Sequence, residues 1–224
     1  MIIEQRDVSL EISWSDAWTS VTYKTKLFIA ASLFTIILLC YPSFFAHVQQ
    51  RSGITLADPV LHLLPSSDVS IYIFLLIYLT VGLGIFRAAQ SPALFLLFIC
   101  SCLFLSLSRI ITMSIVPLEP PTGLVPLADP ILAPFYHHNQ VTKDLFFSGH
   151  TSSVFLIHLI LKKKWEKLFA LSATILVGIL LLVQHIHYTI DVVMAPLFVY
   201  IIFVLAKRVT AFSLEETSEK QIIN

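Results

Sequence analysis

Six apolar runs, each about as long as a membrane is thick, constrain this chain more than any other feature. A transmembrane helix needs roughly 20 apolar residues at about 1.5 Å rise per residue. The runs are Leu27–Ala46, Ile71–Ala89, Pro92–Val116, Asp144–Leu161, Leu168–His185 and Tyr188–Ala206. The fourth is the weakest because Ser148, Gly149 and His150 interrupt it. The pattern predicts an all-α polytopic membrane protein, a bundle of six transmembrane helices.

The composition agrees with this class. Hydrophobic residues make up 57% of the 224 positions and charged residues 12%, whereas a soluble domain is about half apolar and a quarter charged. A formal net charge of zero argues against a nucleic-acid partner. We divide the chain into a cytosolic N-terminal segment (1–26) with an interfacial helix around Trp14 and Trp18, a six-span domain (27–208) and a frayed cytosolic tail (209–224).

The distribution of Lys and Arg predicts the orientation, because loops on the cytosolic side of a membrane carry an excess of both. In the six-span arrangement eleven basic residues fall on one side: Arg6, Lys24, Lys26, Arg87, Lys162, Lys163, Lys164, Lys167, Lys207, Arg208 and Lys220. Only Arg51 and Lys143 fall on the other. Both termini are therefore predicted to be cytosolic. We interpret Lys162–Lys167 as a determinant of this topology rather than as a lipid site.

Polar residues of four predicted spans converge on the exoplasmic side in this arrangement. Arg109 lies about two turns from that end of the third span, Asp144 and His150 open the fourth, His187 closes the fifth and Asp191 begins the sixth. Ionisable groups are costly in hydrocarbon, so each is a candidate for function. Asp144 has a second interpretation, as a plain N-cap of the fourth helix.

The spacing of these residues suits phosphoryl transfer. His187 and Asp191 are four residues apart, so a carboxylate can hold one imidazole nitrogen and leave the other as a nucleophile. Ser148 and Gly149 precede His150 at a helix start, where free N–H groups favour an anion. A nearby arginine can stabilise charge on phosphate oxygens in the transition state.

Two motifs carry a family resemblance. The stretch DLFFSGHT (Asp144–Thr151) followed by HYTIDV (His187–Val192) resembles the signature motifs of the sphingomyelin synthase family, a branch of the type 2 phosphatidic acid phosphatase (PAP2) superfamily. The similarity extends over about residues 50–205. Leu181 stands where the phosphatase branch usually has an arginine, which favours the synthase-like branch.

The resemblance implies six spans, an exoplasmic active site and a catalytic triad of His150, His187 and Asp191. By this analogy His187 attacks the lipid phosphate, Asp191 orients it, and His150 protonates the leaving diacylglycerol oxygen. We assign substrate or phosphate binding to five more residues of the same region: Arg109, Asp144, Ser148, Gly149 and Tyr188. No metal and no cofactor are expected.

The sequence thus predicts a membrane lipid phosphotransferase that moves a phosphocholine-like head group from a phospholipid to ceramide or diacylglycerol. Three alternatives remain. Water as acceptor makes the same site a lipid phosphate phosphatase or phospholipase C. An intramembrane zinc hydrolase would use His150, His185 and His187 as ligands. A transporter or channel would need polar residues in both halves of the membrane, but the predicted cytosolic half is almost purely apolar.

Overall fold

The computed structural model describes residues 13–129 and 141–223, with side chains described up to residue 211. Helices make up its regular structure, and no strand occurs in these ranges beyond one isolated bridge between Ile54 and Leu118. The helices are α1 (Trp14–Thr19), α2 (Val21–Gln50), α3 (Pro59–Leu63), α4 (Ser70–Ala89), α5 (Pro92–Ile115), α6 (Gly149–Ile160), α7 (Lys164–Val183) and α8 (Thr189–Ile223). The predicted helix around Trp14 and Trp18 is confirmed as α1.

Within the described ranges, five helices are long and apolar enough to cross a membrane: α2, α4, α5, α7 and the Thr189–Ala211 part of α8. Large apolar side chains on their outer faces stay exposed, including Leu39 and Ile71 at 75% and 70% of their surface. Water would not support such a continuous apolar exterior, whereas lipid tails solvate it. The prediction of an all-helical integral membrane protein is therefore confirmed.

The fourth predicted span is corrected. The interval Asp144–Leu161 is not one helix, because α6 begins only at Gly149 and has 12 residues. At 1.5 Å per residue it is about 18 Å long, short of the roughly 30 Å of a hydrocarbon core. The predicted count of six helical spans is thus not reached by the described residues.

The non-helical residues before α6 lie inside the protein. Leu145, Phe147 and Ser148 are at most 2% exposed. Irregular backbone at membrane depth is tolerated only where protein shields it and supplies hydrogen bonds. Arg109 Nε donates to the Phe147 carbonyl at 3.2 Å, and Thr112 Oγ1 donates to the Phe146 carbonyl at 3.0 Å. Side chains of α5 thus replace the bonds that a longer helix would have made.

The C-terminal tail also differs from the prediction. We expected fraying after residue 208, but α8 continues without interruption to Ile223. The helix becomes polar in this part, since SLEETSEK replaces the apolar run. Residues of high helix propensity such as Leu, Glu and Lys favour the helical state there.

Cross-links between helix termini define two ends of the bundle. The basic end contains Lys26, Arg87, Lys162–Lys164 and Lys167. Here the N-termini of α1, α2, α5 and α7 meet the C-terminus of α4, and α2 also contacts α8. The contacts are an ion pair between Arg87 and Glu166, and hydrogen bonds from Trp14 Nε1 to Ala89 O (3.0 Å), Tyr23 Oη to Pro92 O (3.1 Å) and Lys26 Nζ to Val209 O (3.1 Å).

The opposite end, called the site end, contains the C-termini of α2, α5 and α7 and the N-termini of α4, α6 and α8. Loops cover it: Lys143 Nζ pairs with Glu119 at 2.8 Å, and Gln49 Nε2 donates to Thr142 Oγ1 at 2.8 Å. Arg51 donates to the last carbonyls of α5, at Met113 and Ser114.

Gly84 allows α4 to approach α6 closely. A Cβ at this position would lie about 3.0 Å from both Cγ1 and Cγ2 of Ile157, closer than ordinary packing permits. Ile157 is β-branched and buried, so its side chain has little freedom to move. By contrast, a Cβ at Gly82, on the same helix, would meet nothing within 4 Å.

We therefore expect Gly84→Leu to destabilise the protein by about 1–3 kcal/mol through overpacking. Gly82→Leu is the matched control and should be neutral or stabilising, because leucine favours the helix over glycine. Thermal unfolding in detergent measures both. Equal melting temperatures for the two variants would contradict the packing of α4 on α6.

Candidate active site

His187 lies in the turn between α7 and α8, and Asp191 lies in the first turn of α8. His187 Nδ1 lies 3.4 Å from Asp191 Oδ2, and the two side chains are 1% and 0% exposed. The same carboxylate oxygen accepts the Tyr188 N–H at 3.0 Å. Asp191 is the third residue of α8, so its carboxylate reaches back over the helix start as the acidic member of a capping box does. One carboxylate therefore fixes both the helix start and the imidazole.

His150 faces this pair from the first turn of α6. Its ring centroid lies 6.2 Å from that of His187. Ser148 caps α6 by accepting the Thr151 N–H at 3.4 Å, and the Ser148 N–H donates to the Asp191 carbonyl at 3.1 Å. This backbone bond joins the starts of α6 and α8 and brings the two histidines together. The alternative interpretation of Asp144 as the N-cap is wrong, since Ser148 fills that role.

The predicted triad concentrates unsatisfied polar atoms. Six buried side-chain atoms of the described residues lack a hydrogen-bond partner, and three of them belong to the triad: His150 Nδ1, His187 Nε2 and Asp191 Oδ1. A fourth, Thr151 Oγ1, neighbours His150. Such groups are rare in folded proteins, because each costs about 1–3 kcal/mol, and they demand an explanation. A reactive site that binds a polar group supplies one.

A cavity of about 80 Å³ is lined by both histidines of the triad. Its polar wall includes His150, His187, Asp144 and Thr142, and its apolar wall includes Leu124, Pro126, Leu127 and Ile186. Ionisable groups on one side and aliphatic groups on the other suit a ligand with a polar head and an apolar body.

Arg109 lies behind the start of α6 and is 9% exposed. Its guanidinium pairs with Asp144 and holds the Phe147 carbonyl through Nε. Glycine at position 149 lets the guanidinium approach the backbone closely, since a Cβ there would lie 2.6 Å from Arg109 Cζ and the arginine side chain would have to shift. The Arg109 guanidinium thus packs against the backbone of Gly149, and Asp144 lines the cavity. The phosphate-binding roles predicted for Arg109, Asp144, Ser148 and Gly149 stay predictions.

Tyr188 is buried, but its hydroxyl is engaged away from the cavity. It donates to Glu119 O at 3.0 Å and accepts the Leu56 N–H at 3.2 Å. Its link to the triad is the backbone N–H that Asp191 accepts. The side chain therefore anchors the loops of the site end, and the predicted substrate contact of Tyr188 stays a prediction.

Asp58 is a positioning residue that the sequence analysis missed. Its carboxylate accepts the Thr189 N–H at 2.6 Å and the Thr189 hydroxyl at 3.0 Å, and it also caps α3 through the Val60 and Leu61 N–H groups. Burial opposes the charge, but these hydrogen bonds prevail and lower the pKa of Asp58 below its ordinary value of 3.8. The aspartate before Pro59 was a visible helix-cap signal. Its second role at α8 had no signal in the sequence.

Gln184 was also missed. It is fully buried at the end of α7. Its amide donates to Ser70 Oγ at 2.8 Å and to Pro126 O at 3.1 Å, and it accepts the Val69 N–H at 3.2 Å. Gln184 thereby fastens the turn before His187 to α4 and to the loop that lines the cavity.

His185, proposed as a zinc ligand in one alternative, points into the loops instead. Its Nδ1 lies 2.9 Å from Thr122 O and its Nε2 lies 3.1 Å from Leu64 O. Both ring nitrogens face backbone carbonyls, so the set of His150, His185 and His187 is not assembled around one point. His158 is likewise engaged, with Nδ1 2.8 Å from Lys167 O. His137 and His138 lie outside the described residues.

Comparison with known families supports the superfamily suggested by the motifs. Residues 143–208 match the family model described as PAP2 superfamily C-terminal. The match includes all three predicted triad residues and extends over α6, α7 and the apolar part of α8. It supports the superfamily and does not distinguish a sphingomyelin synthase-like branch. No curated protein and no solved structure matches the chain.

We expect Asp58→Asn to loosen the start of α8 and to reduce turnover, because an amide offers one acceptor oxygen where the carboxylate offers two. The loss of a charged cap costs about 1–2 kcal/mol at pH 7. The difference in unfolding free energy between wild type and variant should vanish as the pH falls from 3.8 through the lower pKa of folded Asp58. The wild-type carboxyl then loses the charge that the variant lacks at every pH.

Hydrogen exchange of the peptide around residues 186–192 checks this expectation. Asp16→Asn is the matched control, since Asp16 accepts the Ser13 hydroxyl at the start of α1, at the opposite end of the bundle. Equal protection of α8 in both variants would remove the positioning role of Asp58.

Proposed function

We propose that this protein is a membrane lipid phosphotransferase that acts through a phosphohistidine on His187. The match of residues 143–208 to the PAP2 superfamily C-terminal model suggests an enzyme that handles phosphoryl groups of lipids, either as phosphatase or as phosphotransferase. Within that class, we propose transfer of a phosphocholine-like head group from a phospholipid to a lipid alcohol, ceramide or diacylglycerol. The finer assignment rests on the resemblance of the two motifs to the sphingomyelin synthase family.

One observation carries the proposal: His187 Nε2 is buried without a hydrogen-bond partner while the opposite nitrogen, Nδ1, faces a carboxylate. A proton on Nδ1 that points to Asp191 leaves the lone pair on Nε2, which is the state a nucleophile requires. His187 and His150 both line the cavity, so a phosphorus atom held there would lie between them.

In the first step the Nε2 lone pair attacks phosphorus, and the bond from phosphorus to the diacylglycerol oxygen breaks. A protonated His150 gives its proton to that oxygen, and diacylglycerol leaves. Asp191 stabilises the positive charge that develops on the His187 ring. Arg109, helped by backbone N–H groups at the start of α6, would balance the phosphate charge.

In the second step neutral His150 accepts the proton of an incoming hydroxyl, whose oxygen attacks phosphorus as the bond to Nε2 breaks. A lipid alcohol gives the transferase reaction, and water gives hydrolysis. The apolar wall of Leu124, Leu127 and Ile186 beside the histidines favours a lipid acceptor.

We also propose that the site end faces the exoplasm and that both termini are cytosolic. The support is the excess of Lys and Arg at the basic end, which follows the positive-inside rule. The enzyme would then draw both substrates from the outer leaflet.

We expect His187→Ala to abolish turnover. The assay incubates the protein with labelled phosphatidylcholine and either ceramide or diacylglycerol, and lipid chromatography separates the products. Asp191→Asn should reduce turnover by roughly 100-fold or more, because the orientation and tautomer of His187 are lost. The matched control is His62→Ala, since His62 is an exposed histidine of α3 at the same end of the bundle.

All three variants should remain in the membrane. More than about a tenth of wild-type activity in His187→Ala would disprove the nucleophile assignment. Release of free phosphocholine at the same rate with and without acceptor would instead identify the hydrolase alternative.

We expect activity to survive EDTA and 1,10-phenanthroline, because the groups proposed to balance charge are part of the chain. Vanadate should inhibit, since it mimics five-coordinate phosphorus. Labelled phosphate trapped on the protein should be released by acid, as expected for a phosphorus–nitrogen bond. Loss of activity with chelators and its recovery with zinc would favour the metallohydrolase alternative.

A further inference from the structure

His185 lies just past the end of α7, and its backbone adopts a left-handed conformation with φ of 55°. Its N–H donates to Leu182 O and the Ile186 N–H donates to Leu181 O, both at 3.0 Å, which ends the helix as a Schellman motif does. Glycine is the usual residue at this position, because it adopts a positive φ without steric cost. The presence of an imidazole there points to a role for the side chain.

Both ring nitrogens of His185 meet atoms that can only accept a hydrogen bond. Nδ1 lies 2.9 Å from Thr122 O, and Nε2 lies 3.1 Å from Leu64 O. A neutral imidazole has one N–H and one lone pair, so it satisfies one carbonyl and turns its lone pair toward the other. An imidazolium has two N–H groups and satisfies both. The residue is 7% exposed, so water offers little compensation for an unsatisfied carbonyl.

The end of α7 favours the same charge state. This helix has 20 residues, and its last carbonyls carry the negative end of the helix dipole, which stabilises a histidine cation. The charged and titratable groups of the neighbouring segments have other partners or face solvent: Asp58 with Thr189, Asp68 with Ser70, Glu119 with Lys143, Asp129 with Tyr78, His187 with Asp191, and the exposed His62. Within the part of the chain that the structure describes, the two carbonyls and the helix end therefore attract the second proton.

The two carbonyls belong to segments that cover the proposed active site. Thr122 begins residues 122–127, called the wall segment because it supplies much of the apolar wall of the cavity. Leu64 belongs to the connection between α3 and α4. The wall segment is also bonded to the end of α7 through the Val125 N–H, which donates to Gln184 O at 3.1 Å. The ring of His185 thus joins both segments to the turn that leads to the proposed nucleophile.

We propose that His185 is a positioning residue that, as an imidazolium, holds the wall segment and the α3–α4 connection to the turn before His187. The effect on catalysis rests on the proposed function, since His185 acts through the cavity wall and not on the substrate. When the ring loses a proton, a lone pair faces one of the two carbonyls and that hydrogen bond is lost. Histidine changes charge between about pH 5 and 8, so the wall segment is held more firmly in acid and loosens as the pH rises.

Nitrogen-15 NMR of the full-length protein with labelled histidine, purified in detergent, tests the charge state. Protonated and unprotonated ring nitrogens differ in chemical shift, and the His185 signals are those missing from His185→Asn. Asparagine is tolerated at positive φ, so this variant keeps the helix end. We expect two protonated nitrogens at about pH 5 and one at about pH 8. A ring whose protonation does not change between these values would overturn the proposal.

Hydrogen exchange of the wall segment tests the positioning role, with His185→Gly as the main variant and His185→Asn as the second. Glycine suits the positive φ, so it keeps the helix end and removes only the ring. A purely structural role at the helix end predicts unchanged or higher protection. We expect protection, corrected for the intrinsic pH dependence of exchange, to fall roughly ten- to a hundredfold at about pH 5, as for the loss of a hydrogen bond to a charged group. The loss should be smaller at about pH 8.

The matched control is His62→Asn, at an exposed histidine of α3 at the same end of the bundle, which should leave the protection unchanged. An equal loss in this control, or a loss in His185→Gly that is the same at both pH values, would overturn the proposal. Failure of the proposed function is distinguishable, because NMR and exchange decide the charge and the link without lipid turnover. In the turnover assay, the ratio of wild type to His185→Gly should fall as the pH rises. A constant ratio would overturn the effect on catalysis.

Discussion

Backbone polar groups in hydrocarbon must find partners within the protein, and the arrangement of this site depends on how that requirement is met before α6. The residues from Asp144 to Ser148 are not helical, so their carbonyl and N–H groups cannot use a helix ladder. Arg109 and Thr112 of α5 hold two of the carbonyls, and the Asp191 carbonyl receives the Ser148 N–H. These hydrogen bonds hold the non-helical residues 144–148 in one conformation.

Fixing that break sets the position of His150 against His187. Ser148 begins α6 where its N–H meets the first turn of α8, so the two histidines start from a shared backbone contact. Asp191 contributes to this contact with its carbonyl and to the imidazole with its carboxylate. A helix that began at Asp144 would have turned His150 differently and left Arg109 without the Phe147 carbonyl.

The start of α8 is held from outside the helix as well. Asp58 supplies the carboxylate that a helix-capping residue would normally supply, because Tyr188 at the start of α8 has no side chain able to cap it. Gln184 and His185 fasten the preceding turn to the start of α4 and to two loops, one containing Leu64 and the other Thr122 and Pro126. The site end is therefore a set of loops cross-linked by buried polar side chains, whereas the basic end is joined mainly by contacts between helix termini, including the Arg87–Glu166 ion pair.

The sequence by itself determined the class of protein, five of the helices and the main chemical groups of the site. Long apolar runs favour helices in a bilayer, and the four-residue spacing of His187 and Asp191 keeps their side chains within reach of each other across a helix start. Tertiary structure decided the start of α6, the burial of Arg109 behind Gly149 and the second role of Asp58. Each of these depends on contacts between segments from 35 to more than 130 residues apart, where a local pattern carries no signal.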